Sequence, residues 1–176
     1  MSISTRRGDE GETDLMFGRR VKKTEVVVGV VGAIDELNAA LGAARVFSTC
    51  EDTGDVLAAV QEHLIALMGE LSTAEEDNER YRSSGYPVIG ADATAYLDGR
   101  VEVLEARSGN RFVGWARPGS EGKAGSAFLD VARTVCRRAE RELLGYRDEG
   151  CQGAIYLNRL SDVLWLLARE EAHERA

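Results

Sequence analysis

Phe128, Val131, Ala132, Val135, Cys136, Ala139 and Leu143 recur at the three- and four-residue spacing that lines one stripe of a helix. Along another stripe of the same segment Arg133, Arg137 and Arg141 step by four, so the stretch ARTVCRRAERE, residues 132–142, has an apolar face that must be covered and a cationic face that need not be. Such a helix needs neighbours of its own kind. Residues 25–47, 55–76, 91–106 and 154–172 carry the same period, on Ile34, Leu37, Leu41 and Ala44, on Val56, Val60, Leu64, Leu67 and Leu71, on Leu97, Val101 and Leu104, and on Leu160, Val163, Leu164 and Leu167. Val26, Val27, Val28, Val30 and Val31 would suit a strand, yet the stripe runs on from them without a turn and predicts one helix. The fold class expected is all-α, a five-helix bundle in a ferritin-like up-down arrangement, with no strand.

At 176 residues the chain fits one domain with a sizeable core. A formal net charge of -8 excludes a general nucleic-acid or membrane-surface binder, because those need a net basic field; an anionic ligand would need a locally basic pocket. The apolar run of residues 26–34 is too short to span a bilayer and the first residues lack a secretory segment, so a cytoplasmic location is expected. Cys50, Cys136 and Cys151 are widely spaced and suggest neither a disulfide framework nor a zinc site. His63 has no second ligand at metal spacing, and Glu170 with His173 lacks the further carboxylates of a di-iron bundle, so no metal ligand is assigned. The stretch GSEGKA resembles part of a P-loop but has the wrong glycine spacing and Ala124 after Lys123.

Residues 5–23, TRRGDEGETDLMFGRRVKK, have no period and read as a flexible loop. Glycines that let backbone amides approach, together with Arg6, Arg7, Arg19, Arg20, Lys22 and Lys23, are what a polyphosphate requires, although the same composition also describes a tail. Asp35 and Glu36 stand mid-helix among small residues, where a carboxylate can reach an arginine of a neighbouring helix. Asn158, Asp162, Trp165 and Arg169 form a polar edge on the last helix that could face a ligand, and Phe112 and Trp115 are large aromatics in a glycine-rich loop.

Three separated blocks resemble the PduO-type ATP:cob(I)alamin adenosyltransferases. The family pattern TxxGDxGxT, with a lysine ten residues later, is matched by Thr5, Gly8, Asp9, Gly11, Thr13 and Lys23. GxxDELN is matched by Gly32, Asp35, Glu36, Leu37 and Asn38, and the third block by residues 132–141 and 156–162. Residues 48–114 carry no matching motif.

The resemblance implies transfer of the adenosyl group of ATP to Co(I) of a corrinoid, with release of triphosphate and with magnesium on the phosphates. Cobalt is then the nucleophile, and no Ser, Cys or His base is called for. It implies that Thr5, Arg6, Arg7, Gly8, Asp9, Gly11, Thr13, Asp14 and Lys23 contact ATP, completed by Arg137, Arg141, Glu142 and Asn158. Asp35, Arg137 and Arg141 become the catalytic set, with Asp35 pairing Arg137 in a partly buried salt bridge. It further implies a homotrimer with ATP between subunits, and a division into residues 1–24, a nucleotide-binding loop, and residues 25–176, the helical bundle. Trp115 departs from the family pattern, standing three residues before Pro118 where the family has a phenylalanine that helps strip the lower axial ligand from cobalt; it is the corrinoid-binding candidate. Asp130 stands where a histidine is common, and the loop after Pro118 is about two residues longer than is usual. The alternative reading is a non-catalytic ATP- or corrinoid-binding helical bundle.

Overall fold

The computed structural model describes residues 4–108, 116–147 and 150–173. Its architecture is mostly helical. Among the described residues there are six α-helices: α1 (Val26–Phe47), α2 (Glu51–Leu71), α3 (Asn78–Ser83), α4 (Ala91–Ser108), α5 (Ala124–Leu144) and α6 (Gln152–His173). α5 lies at the centre, packed on α1 and α6; α4 covers α6, and α2 covers α1. The apolar stripes largely meet as the period requires, burying Ile34, Leu37 and Leu41 of α1, Leu57 and Leu64 of α2, Leu97 of α4, Leu129 and Leu143 of α5, and Leu157, Leu160 and Leu164 of α6, whereas Val131, expected in the α5 stripe, is exposed and Leu129 is buried in the same turn.

Two features depart from the expected all-α bundle. A two-stranded antiparallel hairpin, β1 (Glu12–Asp14) and β2 (Arg20–Lys22), stands where the sequence reads as loop. It shows little apolar alternation because two of its three rungs join opposite charges, Asp14 facing Arg20 and Glu12 facing Lys22, with Thr13 and Val21 between them. The second departure is α3, in the stretch 77–90 expected to be a connection. Its six residues are too few to show a period, and it is pinned by one buried ring, Tyr81, whose hydroxyl donates to the Pro87 carbonyl at 2.9 Å and lies against Gly69 of α2.

Helix α2 starts earlier than its apolar stripe, at Glu51, and ends at Leu71 rather than running to residue 76. Glu51 and Asp52 complement the positive helix start, and the buried Glu171 carboxylate of α6 accepts from the Thr49 amide at 2.7 Å just ahead of it. At the other end the Thr73 hydroxyl donates to the Gly69 carbonyl, closing the last turn.

By length and composition alone α1 is long and apolar enough to cross a membrane, a test that the core helix of a soluble protein also passes. In the fold it serves as a packed helix: Val27, Val30, Ala33, Ile34, Leu37, Leu41 and Ala44 are buried on one side, and Asp35 and Glu36 project from the other.

Candidate functional site

The N-terminal segment folds back on itself. Asp14 carries the Arg7 guanidinium at 3.1 Å, and Arg20 donates to the Arg7 carbonyl at 2.8 Å while pairing with Glu12 at 3.1 Å. The Lys23 ammonium donates to the Gly8 carbonyl at 2.9 Å, and the Lys23 amide donates to the Gly11 carbonyl at 2.8 Å. A side chain at Gly8 would meet that ammonium at 2.8 Å, so only glycine lets lysine fold this closely over the backbone. Gly11, at φ 81, turns the chain into β1. Thr5, Arg6, Arg7, Gly8, Asp9, Gly11, Thr13, Asp14 and Lys23 are thereby gathered into one polar loop at the protein surface. Arg20 is an organiser of this loop that motif matching missed. Its signal was the opposite-charge pairing of residues 12, 14 and 20, visible only once the hairpin register is known.

The helical half of the site lies on α5 and α6. Arg137 and Arg141 are exposed on the outer face of α5, and Arg141 donates to the Arg137 carbonyl at 2.9 Å. The Cys136 thiol donates to the Leu157 carbonyl at 3.2 Å, so α5 and α6 touch there, and the exposed Asn158 follows at the level of Arg137. Burial pushes the Cys136 thiol up, which leaves it a packing group.

Within one chain Asp35 does not pair with Arg137. Both are exposed, and neither forms an ion pair among the described residues. The neighbouring residues bridge α1 and α5 instead: Arg138 pairs with Glu36, and also with Glu142 at 3.2 Å. Glu142, expected at ATP, is thus engaged by Arg138.

The polar edge proposed for α6 also divides. Arg169 is buried and pairs with the buried Asp130, which accepts from Arg133 at 3.1 Å as well, so two of the edge and ladder positions are architectural. His63 accepts or donates at 3.0 Å with the Tyr156 hydroxyl, a packing role. Trp115 and Phe112 lie outside the described residues. A cavity of about 230 Å³ between α2, α3, α5 and α6, bounded by Tyr81, Arg82, Arg147 and Cys151, holds none of the expected site residues.

With three motif blocks placed on one surface loop and on α1, α5 and α6, comparison with known proteins decides the family: residues 3–171 match cobalamin adenosyltransferase throughout, including the stretch 48–114 that carried no motif. The chain belongs to the cobalamin adenosyltransferase family. It is 37% identical over 177 residues to the corrinoid adenosyltransferase PduO of Salmonella typhimurium, across 97% of this chain and 50% of that protein. It is 36% identical over 174 residues to a cobalamin adenosyltransferase of Cupriavidus metallidurans, across 95% and 86% of the two chains. The chain therefore spans about half the length of the PduO relative and most of the Cupriavidus one. Among solved structures, a variant PduO-type ATP:corrinoid adenosyltransferase from Lactobacillus reuteri complexed with cobalamin and ATP superposes with a TM-score of 0.77 at 26% identity, covering 96% of this chain and 92% of that one. A second variant of the Lactobacillus reuteri enzyme, complexed with ATP, shares the fold at a TM-score of 0.80 and 24% identity. A mostly helical fold is common to these family members.

Proposed function

We propose that the protein is an ATP:cob(I)alamin adenosyltransferase, moving the 5'-deoxyadenosyl group of ATP to Co(I) of a corrinoid and releasing triphosphate. The observation that carries this reading is the closed polar loop in which Lys23 is folded onto Gly8, bearing the family's N-terminal pattern in ordered form. The cobalt–carbon bond forms as the bond from C5' to the triphosphate oxygen breaks, and the electron pair leaves with triphosphate. The protein's task is to align the two substrates and hold the charge that gathers on the leaving group. Lys23, with the backbone of Gly8 and Gly11, is assigned to the phosphates, and Thr5, Arg6, Arg7, Asp9, Thr13 and Asp14 to the wrapping loop. Arg137 and Arg141, charged and exposed on α5, are assigned to the triphosphate, with Asn158 beside them. Magnesium would be carried on the triphosphate, whose oxygens are its ligands. Trp115 is assigned to the corrinoid side.

Residues 1–24 are read as the nucleotide-binding segment and residues 25–176 as the bundle. An up-down arrangement is supported by the short joint of Ser48, Thr49 and Cys50 between the packed helices α1 and α2. A homotrimer with the site between subunits is supported by Asp35 and Arg137, which are exposed on α1 and α5, helices that also expose Val26 and Val131. A cytoplasmic location is proposed from the packing of α1 as a core helix.

The test is the absorbance of chemically generated cob(I)alamin after mixing with protein and magnesium ATP under anaerobic conditions. The expected outcome is adenosylcobalamin with stoichiometric triphosphate, and a loss of about 100-fold or more in kcat/KM for Arg137→Ala. ATP binding without turnover would leave the non-catalytic bundle as the reading.

A further inference from the structure

The hairpin that carries the nucleotide loop is held at its tip, away from the nucleotide loop. The Met16 amide donates to the Ser72 carbonyl at 2.8 Å, and Arg19 pairs with Asp77. The Phe17 ring lies under the Arg80 guanidinium at 4.1 Å and meets Tyr86 edge-on at 6.3 Å. Tyr86 in turn stacks on the buried Tyr81 at 5.0 Å, and Tyr81 rests on Gly69 of α2. Among the described residues, every hydrogen bond, ion pair and ring contact that residues 5–23 make beyond their own segment and its junction with α1 runs to residues 72–86.

Phe17 has φ 60, a left-handed conformation that a bulky residue avoids unless its surroundings hold it. Here the surroundings are the Arg80 guanidinium over its ring and the edge contact with Tyr86. Gly18, at φ 79, completes the reversal. Between this tip and the polar loop lie only the rungs of β1 and β2, so the hairpin acts as a short stiff arm: fixed at residues 15–19, presenting Gly8, Gly11 and Lys23 at its base.

We propose that the segment 72–86 between α2 and α4 is a dock for the nucleotide-binding arm, and that Phe17, Arg19 and Asp77 are positioning residues that set ATP affinity by holding the arm in its binding form. The proposal rests on the reading of residues 5–23 as the ATP loop. It gives α3 and its flanks, which carry none of the family's motif blocks, a role in the site. An arm released from its dock populates its binding form for only part of the time, and apparent affinity falls by that fraction, while the chemistry of a bound ATP is untouched.

The experiment uses the full chain with Arg19→Asp, Phe17→Ala and the exchange Arg19→Asp with Asp77→Arg. Amide hydrogen exchange over residues 8–14 is measured without ligand, alongside the Kd of magnesium ATP and the kinetics of adenosyl transfer. Arg19→Asp and Phe17→Ala are expected to speed exchange in the arm and to raise Kd and KM for ATP roughly tenfold, with kcat at saturating ATP within about twofold of wild type. The charge exchange should restore both exchange rate and KM, which a merely structural loss would not do. Unaltered arm exchange and ATP affinity in both single variants would overturn the dock, as would a fall in kcat equal to that in kcat/KM. If wild-type protein bound no ATP, the nucleotide reading itself would fall, whereas arm exchange would still report whether the dock holds the hairpin.

Discussion

At the scale of single residues, His63 shows how burial sets a titration. The Tyr156 phenol is fully buried and its pKa is pushed up, so it keeps its proton and can donate to Nδ1 of a neutral imidazole at 3.0 Å. Burial holds His63 below its ordinary value of 6.5, against a weaker opposite pull from Asp92. An unfolded chain therefore takes up a proton that the folded one resists. Stability is intact above pH 6.5 and is lost as the pH falls below that and through the folded value. Glu171 works in a lower window. Burial pushes its carboxyl up, but the Thr49 amide and hydroxyl and the Ser48 hydroxyl together outweigh that and leave it below 4.5, so its contribution persists above 4.5 and disappears in stronger acid. The expected result is a melting temperature that declines from near pH 6.5 downward in wild type, with that first decline removed in His63→Gln, which keeps an acceptor for Tyr156. A variant that retained the wild-type slope between about pH 6.5 and 5 would assign the slope elsewhere.

At the scale of elements, helix faces are set by period and helix ends by charge, and only the former was legible in the sequence. Leu37, Leu64, Leu143 and Leu160 announce their burial by spacing, and all are buried. The hairpin did not announce itself, because Glu12, Asp14, Arg20 and Lys22 pair across a turn rather than alternate with apolar residues. The α2 start was hidden likewise: the Glu171 carboxylate that holds the Thr49 amide just ahead of it comes from the far end of the chain. Arg169 looked like part of a ligand-facing edge because a side chain's partner is not a property of its own helix. Asp130 of α5 buries it, closing α5 onto α6 beside Trp165. The N-terminal pattern and the α5 and α6 blocks are local motifs and can be read from sequence as such, whereas the anchoring of residues 15–19 to residues 72–86 depends on contacts across more than fifty positions. Asp130→Ala should lower stability by about 3–5 kcal/mol in urea unfolding, most of it from an arginine left buried without its anion. Asp130→Leu combined with Arg169→Met should recover much of that loss. If the double variant were no better than the single one, the single loss would come from packing and not from the orphaned charge.

At the scale of the whole molecule, Asp35 and Arg137 are both exposed and do not pair with each other within one chain. Glu36 and Arg138 already bridge α1 to α5 inside the chain, and Asp35 and Arg137 point outward next to that bridge, with Gly29 and Gly32 leaving the exposed side of α1 low enough for another copy to approach. In the proposed homotrimer a closed ring of identical chains would pair them, because each copy would offer its α1 to one neighbour and its α5 to the other. The polar loop moves with α1, since Lys23 lies just before it, so the arrangement would bring the loop of one copy to the arginines of the next. This yields a prediction that a self-contained site cannot meet. Asp35→Ala and Arg137→Ala chains, each inactive alone, are co-expressed with different affinity tags, and mixed assemblies carrying both tags are isolated. A site built from two copies is intact wherever an Arg137→Ala chain donates Asp35 to an Asp35→Ala chain that donates Arg137. In a doubly tagged trimer one site of the three is then intact, so that fraction holds about a third of the wild-type sites. Activity in the doubly tagged fraction at that level, with none in either parent, places the contact between subunits, whereas a doubly tagged fraction as inactive as its parents would confine Asp35 and Arg137 to separate roles within one chain.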